Sequence, residues 1–169
     1  MTLRGTWFVV PTAFGDDGSL DLASQRGVAG AAVAWGVDGL TTMGVMSEAS
    51  ALAPKERQAA LDAVFEGASG RVPVAVGCSA ASAEVAVALV RQAAALGAAV
   101  AMVSAPSLAR DLDALPGFFA RVAADGGLPL IVQDEPAATG VTMPVSVLRA
   151  CLASSGARTV KLEDPPTPP

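Results

Sequence analysis

The sequence predicts an α/β fold in which six βα units build a parallel sheet. Three observations carry that expectation. Short, nearly all-apolar runs alternate with Ala- and Leu-rich helical stretches along the whole chain, as in parallel sheets covered on both faces. The alternation recurs at about 30 residues, the span of one βα unit, which implies right-handed crossovers. Finally, the 169 residues are 52% hydrophobic and only 16% charged, a balance that suits wide buried faces and no disordered tract.

Each element follows in order. Thr6-Trp7-Phe8-Val9-Val10 reads as the first strand, and Gly15-Asp16-Asp17-Gly18 as a turn before a helix from Asp21 to Ala34. Val37 to Met43 leads into the second strand. Pro54 opens the next helix, where its missing N–H had no partner to lose, and Gly67 closes it. Pro73 to Gly77 is the third strand. Ser82 caps a helix that runs to Leu96 and stops at Gly97. Ala99 to Ser104 is the fourth strand, followed by a helix from Leu112 to Ala124. Leu128 to Val132 is the fifth, Pro144 to Leu152 the next helix, and Thr159-Val160-Lys161-Leu162 the sixth strand. Residues 1–169 read as one domain with no internal linker, and 164–169 as a Pro-rich tail. Two architectures fit, an open doubly wound sheet or part of an eight-fold barrel. The first βα turn carries no Gly-x-Gly-x-x-Gly, so dinucleotide binding has little support. A flavodoxin-like domain for a phosphate-bearing ligand likewise lacks a glycine motif.

Charge and composition exclude several classes. The net charge of −5, with no basic cluster, argues against nucleic acid and anionic membranes as partners. No apolar run approaches the roughly 18 residues of a membrane span. Met1 to Gly5 lacks a signal peptide's apolar core. Cys78 and Cys151 stand without metal-type spacing and suit a reduced cytoplasm. The absence of histidine removes Ser-His-Asp and Cys-His catalysis and any His-ligated metal, so neither metal nor cofactor is expected. Tyrosine is absent too, and lysine occurs only at Lys55 and Lys161.

Lys161 is the first candidate, set between Val160 and Leu162 near a strand's C-terminal end. An ordinary lysine, with pKa about 10.4, is protonated at neutral pH. Desolvation between apolar strands favours the free amine, which attacks a ketone. The alternative is a stem lying on the sheet with its ammonium in water, and position alone does not choose. The loop Gly44-Val45-Met46-Ser47-Glu48-Ala49-Ser50 can offer N–H groups and the Ser47 and Ser50 hydroxyls to a carboxylate, or serve as turn and cap; Glu48 reads as structural. The segment Gln133-Asp134-Glu135-Pro136-Ala137-Ala138-Thr139-Gly140 places two carboxylates and an amide after a strand. Asp134 or Glu135 can act as general acid or base where burial raises its pKa, although Glu135 reads better as a solvated turn. Glu163-Asp164 reads as a loop pair holding the strand end.

Taken together these segments resemble the dihydrodipicolinate synthase and N-acetylneuraminate lyase family. The resemblance runs through Val9-Val10-Pro11-Thr12-Ala13-Phe14, Gly36-Val37-Asp38-Gly39-Leu40, Gly44-Val45-Met46-Ser47-Glu48-Ala49 and Gly70-Arg71-Val72-Pro73-Val74. It continues through Leu128 to Pro136, Thr139-Gly140-Val141 and Val160-Lys161-Leu162-Glu163. It implies a (β/α)8 TIM barrel, of which about six βα units are present, and Lys161 as the Schiff-base lysine. Gln133 and Asp134 are then the other catalytic candidates, and Val45, Met46, Ser47 and Thr139 the substrate-binding ones. The implied substrate is pyruvate or another 2-oxo acid, and the implied assembly a homo-oligomer, since family members are tetramers.

The chain departs from the family pattern at several points. Val45 and Met46 replace two threonines, Gln133 falls where a tyrosine stands, and Pro106 and Ser107 fall near a tyrosine pair. Ala138 occupies the place of a substrate-binding arginine. Two functional readings follow: a Schiff-base lyase that uses Gln133 and Asp134 in place of tyrosine chemistry, or a non-catalytic member or fragment that keeps the lysine.

Overall fold

All six expected strands form, in the expected order. The computed structural model describes residues 3–107 and 109–164 and divides into two units, Met1–Gly77 and Cys78–Pro169. The expected Pro-rich tail beyond Asp164 lies outside the described residues.

The first unit holds three parallel strands, β1 (Trp7–Val9), β2 (Gly39–Thr42) and β3 (Val74–Gly77), paired in that order. Strands β2 and β3 are wholly buried, whereas β1, with a neighbour on one side only, is half-buried. Helix α1 (Leu22–Ala34) begins where the Asp21 carboxylate accepts from the N–H of Ser24 at 2.9 Å, which satisfies a free N-terminal donor. It buries Gln25, Ala29 and Ala32, one face at helical spacing. Buried Gln25 is not idle: its carbonyl accepts from Ala13 N at 2.7 Å and its amide donates to Pro11 O at 3.1 Å, pinning the segment after β1. Helix α2 (Pro54–Ala68) packs on α1 so closely that a Cβ on Gly67 would overlap the carbonyl oxygen of Arg26. A Cβ on Gly77, at the end of β3, would overlap the carbonyl oxygen of Met43, so no side chain fits there. The Gly77 carbonyl accepts from the buried Arg57 guanidinium at 2.7 Å.

The second unit repeats the scheme with β4 (Val100–Ser104), β5 (Leu130–Asp134) and β6 (Thr159–Leu162), again parallel and in order. Strand β5 reaches two residues further than the sequence suggested. Gln133 and Asp134 look like loop residues, yet both are buried in the strand. Helix α3 (Ala83–Ala95) starts at Ser82, whose hydroxyl accepts from Val85 N, and is followed by Gly97 at φ +85°, a conformation that glycine adopts without strain. Helix α4 (Leu115–Gly126) buries Leu115, Phe119 and Val122. It meets α3 where a Cβ on Gly126 would lie 2.6 Å from Val90. Outside that contact, Arg121 pairs with Glu84 and Arg91 donates to Asp125 O. Helix α5 (Pro136–Thr139) is a single turn, and α6 (Val145–Ser155) is tied to α4 by Ser154 Oγ donating to Pro116 O at 2.8 Å. Among the described residues no helix is long and apolar enough to cross a membrane, and no group of three or more His, Cys, Asp or Glu is arranged to hold a metal.

Candidate active site

In the second unit, parallel register sets Ser104 opposite Gln133, and Gln133 opposite Lys161. These three residues form one row at the C-terminal ends of the strands, Ser104 the last residue of β4 and Gln133 and Lys161 the last but one of β5 and β6. Residues in register on adjacent strands project to the same face of a sheet, so a hydroxyl, an amide and an amine are brought together at the strands' C-terminal ends.

Two carboxylates complete the group. The Gln133 amide nitrogen donates to Glu135 Oε2 at 2.8 Å and to Glu163 Oε1 at 2.5 Å. Glu163 in turn accepts from Lys161 Nζ, forming an ion pair. Beyond Glu135, the hydroxyls of Ser104 and Ser79 bond each other at 2.7 Å, and Ser104 bonds Glu135 as well. One connected network thus runs from Lys161 through Glu163, Gln133 and Glu135 to Ser104 and Ser79.

The environments of the two carboxylates differ. Glu135 is only 9% exposed. Burial, its largest influence, pushes its carboxyl above the usual range; the Ser104 bond opposes this, the charge of Glu163 adds to it and the charge of Lys161 offsets part of it. The Glu163 side chain is 41% exposed and rests against the lysine. The expectation that Glu135 is a solvated turn residue is therefore not met. Its burial comes from partners on β4 and β5, a tertiary arrangement.

The remaining expected residues sit as follows. Lys161 is the third residue of β6 (Thr159–Leu162), between apolar neighbours, and its side chain is 40% exposed rather than enclosed. Asp134 is one residue beyond Gln133 and so on the opposite face of β5. It is buried, with Oδ1 unpartnered; burial first, then the charge of Asp164, raises its carboxyl, while the Met143 N–H opposes. Thr139, at the end of α5, uses its hydroxyl locally, donating to Glu135 O at 3.1 Å and accepting from Val141 N at 3.2 Å. In the first unit, Val45–Ser47 form a 3-10 turn with Val45 and Met46 exposed. The Ser47 hydroxyl is buried and donates to Val10 O at 2.7 Å, so it serves the packing of its own unit.

Ser79, Ser104 and Glu163 were not singled out for chemistry from the sequence. The available signal was position: Ser104 is the first hydroxyl after an apolar strand, at the strand end where barrel sites gather.

A model of the dihydrodipicolinate synthetase family matches residues 2–161. The chain is 38% identical over 141 residues to a 4-hydroxy-tetrahydrodipicolinate synthase of Xanthomonas axonopodis pv. citri, covering 83% of this chain and 47% of the relative. It is also 38% identical over 146 residues to an L-2-keto-3-deoxyarabonate dehydratase of Azospirillum brasilense, with the same shares covered. The chain thus spans about half the length of these relatives. Among solved structures, a dihydrodipicolinate synthase from Acinetobacter baumannii superimposes with a TM-score of 0.90 at 24% identity, over 95% of this chain and 56% of that one. The six parallel strands and their helices are those of a partial TIM barrel.

Proposed function

Because the chain belongs to the dihydrodipicolinate synthetase family, we propose that it carries the Schiff-base lysine of a class I lyase, with Lys161 condensing with pyruvate or another 2-oxo acid. The observation that carries this reading is the row Ser104–Gln133–Lys161 at three adjacent strand ends, with the amine held by Glu163. The dehydratase relative, by its name, acts on a 2-keto acid. An iminium at the former carbonyl carbon withdraws electrons from the neighbouring carbon. That permits aldol cleavage or condensation, or loss of a β-hydroxyl from a sugar acid. Gln133 donates to Glu163, which holds the amine, and to Glu135 behind it. The proposal also places the protein in the cytoplasm as a homo-oligomer, in keeping with two buried free cysteines and with the family resemblance.

The test is borohydride reduction in the presence of labelled pyruvate, followed by peptide mapping. The expected result is one label, on the peptide containing Lys161. Absence of label, or label that survives Lys161→Ala, overturns the proposal. A second reading, a non-catalytic member, is favoured by one observation: the Lys161 ammonium is already ion-paired with Glu163. A folded chain that takes no label under any pH supports that reading.

A further inference from the structure

Two carboxylates share one amide, and only one of them is in contact with the amine. Gln133 donates to both Glu135 and Glu163, yet Glu163 alone accepts from Lys161 Nζ. Glu135 is buried behind them, among Gln133 and the Ser104–Ser79 hydroxyl pair. Carbinolamine chemistry needs two proton operations of opposite sense: the amine must lose a proton before it attacks, and the hydroxyl must gain one before it leaves.

We infer that Glu163 is the base that frees the Lys161 amine and Glu135 the acid that protonates the departing hydroxyl, with the Gln133 amide fixing both carboxyl groups. The inference rests on the Schiff-base reading above. The sequence of bonds is balanced. Lys161 Nζ gives one proton to the Glu163 carboxylate. Its lone pair then forms the N–C bond to C2 of the 2-oxo acid while the C=O π bond opens, and a second N–H proton moves to that oxygen. The Glu135 carboxyl donates its proton to the resulting hydroxyl, the C–O bond breaks, and water leaves as the nitrogen lone pair forms the C=N bond. The products are a protonated iminium, water, neutral Glu163 and a Glu135 carboxylate, so the total charge is unchanged.

A protonated Glu135 fits its surroundings. A neutral carboxyl still accepts the Gln133 N–H through its carbonyl oxygen. Burial first, opposed by the Ser104 bond, reinforced by the charge of Glu163 and partly offset by Lys161, raises the affinity of Glu135 for a proton, the direction an acid requires. Paired carboxyl groups whose environments push their proton affinities apart divide acid and base roles in this way. Among the described residues, the charged groups that act on Glu135 are Glu163 and Lys161; Asp164 acts instead on Asp134, on the opposite face of β5.

The experiment measures the rate of borohydride-trapped adduct formation by the full chain with pyruvate, across pH. Native protein is expected to lose rate on the alkaline side as Glu135 gives up its proton. Glu135→Gln is expected to trap at least about 100-fold more slowly near neutrality, the usual contribution of a positioned acid, to lose the alkaline fall, and still to label at Lys161 on long incubation. Glu135→Asp, which keeps an acid, is expected to regain part of the rate and the alkaline fall. A Glu135→Gln rate within about threefold of native overturns the inference while leaving the Schiff base standing. If Glu135→Gln does not fold, the native profile decides: a rate that does not fall on the alkaline side overturns it. If the native chain forms no adduct, the Schiff-base reading fails, and this inference with it.

Discussion

Replacing Gln133 with leucine removes one amide from between two carboxyl groups while keeping the side chain's volume. Two hydrogen bonds are lost, at 2.8 Å to Glu135 and 2.5 Å to Glu163. Their weights differ. Water can reach the 41%-exposed Glu163 side chain and replace its lost donor, so that bond contributes at most about 1 kcal/mol. Glu135 is 9% exposed and keeps only the Ser104 bond, and losing one of two donors to a buried carboxyl costs toward the lower end of about 1–3 kcal/mol. Gln133→Leu should therefore destabilise the chain by about 2 kcal/mol, read as a lower urea midpoint with an unchanged m-value. A double-mutant cycle with Glu135→Ala, which removes the acceptor, isolates the shared bond, with a coupling of about 1–2 kcal/mol expected for residues in one network. Stability within about 0.5 kcal/mol of native, or effects that simply add, would refute the network.

Two further outcomes follow from the geometry. Gly77→Ala forces a methyl group onto the Met43 carbonyl oxygen, backbone that cannot swing aside, and should cost about 3 kcal/mol or more; a melting temperature equal to native would contradict the close approach. Asp134 has its carboxyl raised above 3.8 by burial, then by Asp164. A group raised on folding contributes stability that is whole below that value and is lost as pH rises through its folded pKa. Asp134→Asn should thus reduce the loss of stability as pH rises above about 4, and urea midpoints whose pH slope above that point is unchanged would reject the assignment.

The order of strands and helices was legible because parallel strands buried on both faces leave apolar runs, and because Pro54, Ser82 and Gly97 mark helix ends in a way set by local chemistry. The end of β5 was not. Gln133 and Asp134 are polar, and polarity reads as loop; what makes them strand is pairing with β4 and β6. Helix α5 spans Pro136–Thr139, too short to show a period. Within the site, the apolar flanks and rarity of Lys161 drew attention to it without choosing between a buried amine and a stem with its ammonium in water; the family resemblance made that choice. Glu135 was misjudged because carboxylates are ordinarily exposed, and its burial depends on Ser104, about thirty positions earlier.

Neighbouring positions 133 and 134 look in opposite directions from β5, and this separates two kinds of inheritance. Substitutions that reach the amide side alter what the lysine's companions can do with protons. Substitutions on the aspartate side alter how stability changes as pH rises from the acid range. A lineage can therefore drift toward a new substrate through one position and toward a new habitat through the next, without either change dragging the other along.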